Sequence, residues 1–166
     1  MMNWLLLAFF YWLHLLATVV WLGGLALLML VALPALRQQT LDQNQWLTLQ
    51  QRFTPWINVS LVVLLLTGFV QMTNDPNYTG FLEVDSVWAG AILVKHIAFA
   101  GMVGLTFYLQ RVIYPAMERA KLLAEKRPQL AAAEQNKLSH QERRLLWLNI
   151  ACAAAILLCT AVATAV

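Results

Sequence analysis

His14 to Pro34 reads HLLATVVWLGGLALLMLVALP, a run in which only Thr18 and the two glycines interrupt apolar side chains between a histidine and a proline. A helix needs roughly 20 such residues to cross the hydrocarbon core of a bilayer. Lys95 to Pro115 reads KHIAFAGMVGLTFYLQRVIYP and places an ionisable residue 20 positions before a proline, as His14 stands before Pro34. Outward from these two, the apolar stretches become four spans at about 3–36, 56–72, 87–114 and 145–166. Lipid gives the backbone no hydrogen-bond partner, so each is predicted to be a helix. The whole chain agrees: 61% of its 166 residues are hydrophobic and 11% charged, with a mean hydropathy of +0.65, outside the range of soluble domains. The expectation is an all-α integral membrane four-helix bundle, one domain over residues 1–166.

Charge orients the spans. The connections at 37–55 and 115–144 hold Arg37, Arg52, Arg119, Lys121, Lys126, Arg127, Lys137, Arg143 and Arg144, whereas the connection between the second and third spans holds Asp75, Glu83 and Asp85 with no Lys or Arg. By the positive-inside rule the basic connections are cytoplasmic, which puts both termini and the acidic loop outside, in the periplasm if the membrane is the inner membrane of a bacterium. The apolar N-terminus is read as a span and not as a cleaved leader, since no Lys or Arg precedes it. A net charge of +3 and a pI near 9.1 therefore describe topology, and nucleic acid is not an expected partner. Cys152 and Cys159 share one helix face seven residues apart, about 10 Å, too far for a disulfide. His140 is read as a solvated residue of the cytoplasmic connection. That connection is expected to form helix extensions at an anionic membrane surface, broken near Arg127 and Pro128.

The chain repeats itself. Ala17, Gly23, Pro34 and Ala35 recur as Ala98, Gly104, Pro115 and Ala116, and Arg52 with Trp56-Ile57-Asn58-Val59 recurs as Arg143 with Trp147-Leu148-Asn149-Ile150. Two tandem helical hairpins in a parallel pseudo-twofold repeat follow. Counting back about 20 residues at 1.5 Å each from Pro34 and Pro115 brings His14, Lys95 and His96 to the outer half of the bilayer.

His14 and His96 are the candidate metal ligands. Ionisable side chains in a membrane interior are costly unless paired, which makes them functional candidates. Helices one and three of a four-span bundle run in the same direction, so two imidazoles at matching depth suit a six-coordinate haem b iron, a site for electron transfer. Thr18 and Trp21 share the face of His14, and Gly24, Gly101 and Gly104 leave room for a flat macrocycle; small residues also serve close helix packing. Lys95 can snorkel outward to pair with a propionate or act as a ligand or proton donor itself. In the repeat it is Lys95, not His96, that aligns with His14. Neutral His14 can also simply hydrogen-bond between helices.

The spacing of His14, Trp21, Gly23-Gly24 and Pro34 resembles the first helix of the copper-resistance D (CopD-like) membrane family, and LVKHIAFAGMVGLTFYLQRVIYP resembles a later helix of that family, with its lysine at Lys95. The same residues are similar to the four-helix bacterial protoporphyrinogen oxidases. That second resemblance implies that His14 would be a haem ligand and Lys95 a further functional group, and His96 departs from its pattern. The leading expectation is a b-type haem protein with bis-histidine ligation, exchanging electrons with quinone or a redox protein, alone, as a homo-oligomer or as a subunit of a larger membrane complex. Copper handling is the alternative, although Met1, Met2, Met29, Met72, Met102 and Met117 are scattered. A haem-dependent oxidoreductase acting on a porphyrinogen is the third.

Topology is directly measurable. With Cys152 and Cys159 replaced by alanine, Asp75→Cys should react with a membrane-impermeant maleimide in intact cells and Arg119→Cys only after permeabilisation. The opposite pattern would invert the orientation.

Overall fold

The computed structural model describes residues 3–38, 40–78, 80, 85–124 and 127–165, so Met1, Met2, Thr79, Glu83 and Lys126 lie outside the described residues. The elements are α1 (Trp4–Ala26), a π-helical turn (Leu27–Ala32), α2 (Leu33–Arg37), α3 (Gln43–Thr73), α4 (Val87–Tyr108), a second π-helical turn (Leu109–Ile113), α5 (Tyr114–Ala124) and α6 (Pro128–Ala165). No strand occurs among the described residues. Four continuous rods are long and apolar enough to cross a membrane: Trp4–Leu36, Asn44–Thr73, Val87–Ala124 and Pro128–Ala165. The fold is the expected all-α membrane architecture of four long apolar helices.

Local chemistry starts each helix. The Asn3 side chain accepts from the Leu5 N–H at the head of α1. Asp42 and Gln45 form part of a capping box before α3, with the Asp42 N–H donating to Gln45 Oε1 at 3.0 Å. The Ser86 hydroxyl accepts from the Ala89 N–H and caps α4. Pro128 occupies the first position of α6, where its missing N–H costs nothing.

Three of the four rods run past the expected spans. α6 has 38 residues, about 57 Å at 1.5 Å per residue, against a hydrocarbon thickness of roughly 30 Å. Much of the connection at 115–144 is therefore helix, interrupted before Pro128 as anticipated. His140 is exposed, on α6.

Both π-helical turns have the same cause. Pro34 and Pro115 have no N–H to give the preceding turn, and their rings crowd it. In each case the residue before the proline donates one position further back than in an α-helix: Leu33 N–H to Leu28 O, and Tyr114 N–H to Leu109 O. The two widened turns lie at equivalent positions of the repeat, so the duplication seen in residue spacing extends to backbone geometry.

The chain divides into two compact units, residues 1–93 with 160–166, and residues 94–159. In the first, α1 and α3 pack antiparallel. Gln71 Nε2 donates to the Phe10 carbonyl at 3.5 Å, and a Cβ on Gly24 would stand 3.7 Å from Phe53 Cδ1 and 4.0 Å from Ile57 Cγ1. Fully buried Trp46 closes the end near α2, packed with Leu28 and Ala32 and flanked by Leu33, Leu36, Leu41 and Leu49. In the second unit, buried Asn149 of α6 donates through Nδ2 to the Thr106 hydroxyl of α4 at 3.0 Å, and Gly101 faces Cys152. Apolar side chains cover the outside of the rods, among them Val19, Leu30, Leu66, Ile97 and Leu158, the arrangement lipid requires. Trp4 and Trp12 near one end of the first rod, and the repeat-equivalent Trp56 and Trp147, are exposed, as interfacial anchors are.

The glycine contacts make a stability contrast. Gly24→Leu should destabilise the detergent-solubilised protein by about 1–3 kcal/mol through overpacking against Phe53 and Ile57. Gly23→Leu, where a Cβ meets nothing within 4 Å, should be near neutral. Thermal unfolding of the two variants reads the difference.

Candidate functional site

A histidine inside the first span meets a threonine and a glycine of the second. His14 projects from the third turn of α1 toward α3, where its Nδ1 lies 2.8 Å from Thr67 Oγ1. The Thr67 hydroxyl lies 2.6 Å from the Val63 carbonyl, one helical turn back, and donates to it. Next to it, Gly68 lets the imidazole lie against the backbone of α3: a Cβ there would stand 3.4 Å from His14 Cε1 and 3.9 Å from Nδ1. Thr18 secures the other side of the turn, its hydroxyl donating to the His14 carbonyl at 2.8 Å. His14 is half-buried. It makes the interhelical hydrogen bond that a membrane histidine is expected to make, and it uses Nδ1 to do so.

Thr67 and Gly68 were not among the residues singled out in the sequence. A threonine and a glycine in an apolar helix carry no signal of their own. The repeat gives one in retrospect, because the second span's offset of 91 maps Gly68 onto Cys159. In the second unit Lys95, the counterpart of His14, lies within electrostatic range of Cys159. The same pair of helix positions thus recurs, as His14 against Gly68 and as Lys95 within electrostatic range of Cys159. This supports the alignment of Lys95 with His14, and His96 stands one residue, about 100°, further round the helix.

The remaining sequence candidates fall as follows. Trp21 is buried with 6% of its surface exposed. Gly24 and Gly101 are packing glycines, against Phe53 and Ile57 and against Cys152 respectively, and a Cβ on Gly104 would meet nothing within 4 Å. Lys95 and His96 are each half-buried. His14, Thr18, Trp21 and Gly24 belong to the first unit, and Lys95, His96, Gly101 and Gly104 to the second.

One buried acid lacked a sequence signal. Glu142, 1% exposed, stands in the electrostatic neighbourhood of Tyr114 within the second unit. It sits among Gln141, Arg143 and Arg144 in a stretch of polar composition. Its burial comes from α6 being helical already there, which turns it to the same face as Leu138, Leu146 and Asn149.

Among the described residues no group of three or more His, Cys, Asp and Glu side chains could hold a metal ion.

The family model described as copper resistance protein D matches residues 47–163, from early α3 to near the end of α6. His14 and the helix that bears it lie before the matched segment. No curated protein and no solved structure gives a match.

The packing of His14 on Gly68 is open to a double-mutant cycle. Gly68→Val should lower stability by about 1–3 kcal/mol through overpacking, and His14→Ala should recover part of that loss, a coupling of about 0.5–3 kcal/mol. Thermal or denaturant unfolding of the four proteins measures it, and additive effects would remove the contact.

Proposed function

Because the chain belongs to the copper resistance protein D family, whose model covers well over half of it, we propose that it is a membrane metalloprotein with His14 as a ligand, and specifically a b-type haem protein that passes single electrons. The observation that carries this reading is the hold on His14. Thr67 engages Nδ1 at 2.8 Å, so Nε2 is the nitrogen through which the ring would bind metal. A metal-bound histidine characteristically gives its other ring nitrogen to such a partner.

Haem is favoured over a bare ion by the donor set, since a porphyrin contributes four nitrogens and asks the protein for one or two axial ligands. When bound, haem supplies a one-electron iron couple. The chain's own residues do the rest. His14 binds, Thr67 and Gly68 set the ring's orientation, and the apolar walls of the first hairpin keep water from the ligand. In this reading His96 would be a second histidine ligand to the iron, a donor set that suits electron transfer, and Lys95 would serve a propionate carboxylate. Electrons would be exchanged with quinone or a redox protein at the outer face of a bacterial inner membrane, with both termini periplasmic.

The family description favours a second reading, in which the chain handles copper and His14 is one copper ligand. A haem-dependent oxidation of a porphyrinogen is a further activity of the same site, and restoration of growth in a strain lacking its own protoporphyrinogen oxidase would reveal it.

Purified protein separates these readings. Dithionite-reduced samples should show a sharp b-type α band and stoichiometric iron, and His14→Ala and His96→Ala should each lose the low-spin spectrum while Lys95→Ala keeps it. A colourless preparation containing copper would establish the second reading. Loss of the low-spin spectrum in Lys95→Ala, with retention in His96→Ala, would transfer the second ligand to Lys95.

A further inference from the structure

The hydrogen bonds around Thr67 restrict where the proton of His14 can be. A threonine hydroxyl has one proton and two lone pairs. At Thr67 that proton is directed to the Val63 carbonyl, 2.6 Å away, so a lone pair faces His14 Nδ1 at 2.8 Å. An unprotonated Nδ1 would set lone pair against lone pair at that distance. In a neutral imidazole, Nδ1 therefore carries the proton and Nε2 the lone pair.

We propose that Thr67 is a positioning residue that holds His14 in the Nδ1–H tautomer and so makes Nε2 its metal-binding nitrogen. Two neighbouring features keep the geometry rigid. The Thr18 hydroxyl is bonded to the His14 carbonyl at 2.8 Å, and Gly68 allows the ring to approach α3 to a distance at which a Cβ would be 3.4 Å from Cε1. The chain Nδ1–H to Thr67 Oγ1 to Val63 O also polarises the ring, because each bond in a series strengthens the next, and this raises the basicity of Nε2 as a ligand. The tautomer follows from the hydrogen bonds alone; its use in metal binding rests on the reading of His14 as a ligand.

The two halves are tested apart. The chain has three histidines, so uniform 15N-histidine labelling of the full-length protein in detergent gives few ring signals, and His14→Gln identifies those of His14. The expected result is a protonated Nδ1 in the parent protein, lost or mixed with the other tautomer in Thr67→Val and restored in Thr67→Ser. A protonated Nε2 in the parent protein, or an unchanged tautomer in Thr67→Val, would overturn the proposal. In metal-loaded protein, Thr67→Val should weaken retention by roughly 10- to 100-fold and Thr67→Ser should not. A fixed Nδ1–H tautomer in a protein that binds neither haem nor copper would uphold the tautomer and overturn the ligand reading.

Discussion

Every backbone N–H and C=O in these spans must find its partner within its own helix, because hydrocarbon supplies none. That constraint explains the long uninterrupted rods, and it also explains where they deform. Pro34 and Pro115 each remove a donor within an otherwise continuous helix, and the chain answers by widening one turn so that Leu33 and Tyr114 reach the carbonyls five residues back. Breaking the helix there would leave several groups unsatisfied, whereas a π-turn keeps the segment paired and shifts the register of everything beyond it.

The same constraint governs the side chains. A polar group in the interior must be paired, within its own helix or across to another, and the pairs across helices fix the register in which the helices meet. In the first unit the pair is His14 with Thr67, backed by Gln71 with the Phe10 carbonyl. In the second it is Asn149 with Thr106. Single bonds of this kind in lipid contribute only about 0.6 kcal/mol on average, so they specify alignment more than they provide stability, and most of the packing falls to small residues such as Gly24 and Gly101. Gly68 is the point where the two roles coincide, since it gives room to the imidazole that the neighbouring Thr67 binds.

The repeat provides two equivalent positions that carry different residues. His14 lies against Gly68, and the repeat equivalents of the two are Lys95 and Cys159. The first place has a hydroxyl partner beside it at Thr67, and its repeat equivalent is Leu158, an apolar residue with no hydrogen bond to offer. The position that holds the histidine with a hydroxyl thus offers the lysine none. Membership of the copper resistance protein D family covers α3 to α6 and so speaks for the second, third and fourth rods, while the case for His14 rests on its own surroundings.

Hydropathy, span length and the recurring proline spacing determined by themselves that this chain is a helical membrane protein built from two similar hairpins, because apolar length and backbone pairing in lipid leave a single choice of secondary structure. The alternation of basic and acidic connections carried the expected orientation, and the ionisable residues within apolar runs identified His14, Lys95 and His96 as candidates. Only the tertiary structure decided which atoms meet. Helical periodicity states the face a residue occupies but not the rotation and depth at which a neighbouring rod presents its own face, so Thr67 and Gly68 were invisible as partners of His14. The burial of Glu142 had no signal for the same reason: a helical extension was expected in this connection, but the face that α6 turns inward there depends on what packs against it. Which nitrogen of His14 the neighbouring helix engages likewise depends on a hydroxyl 53 residues away in the chain, a contact that spacing within one helix cannot encode.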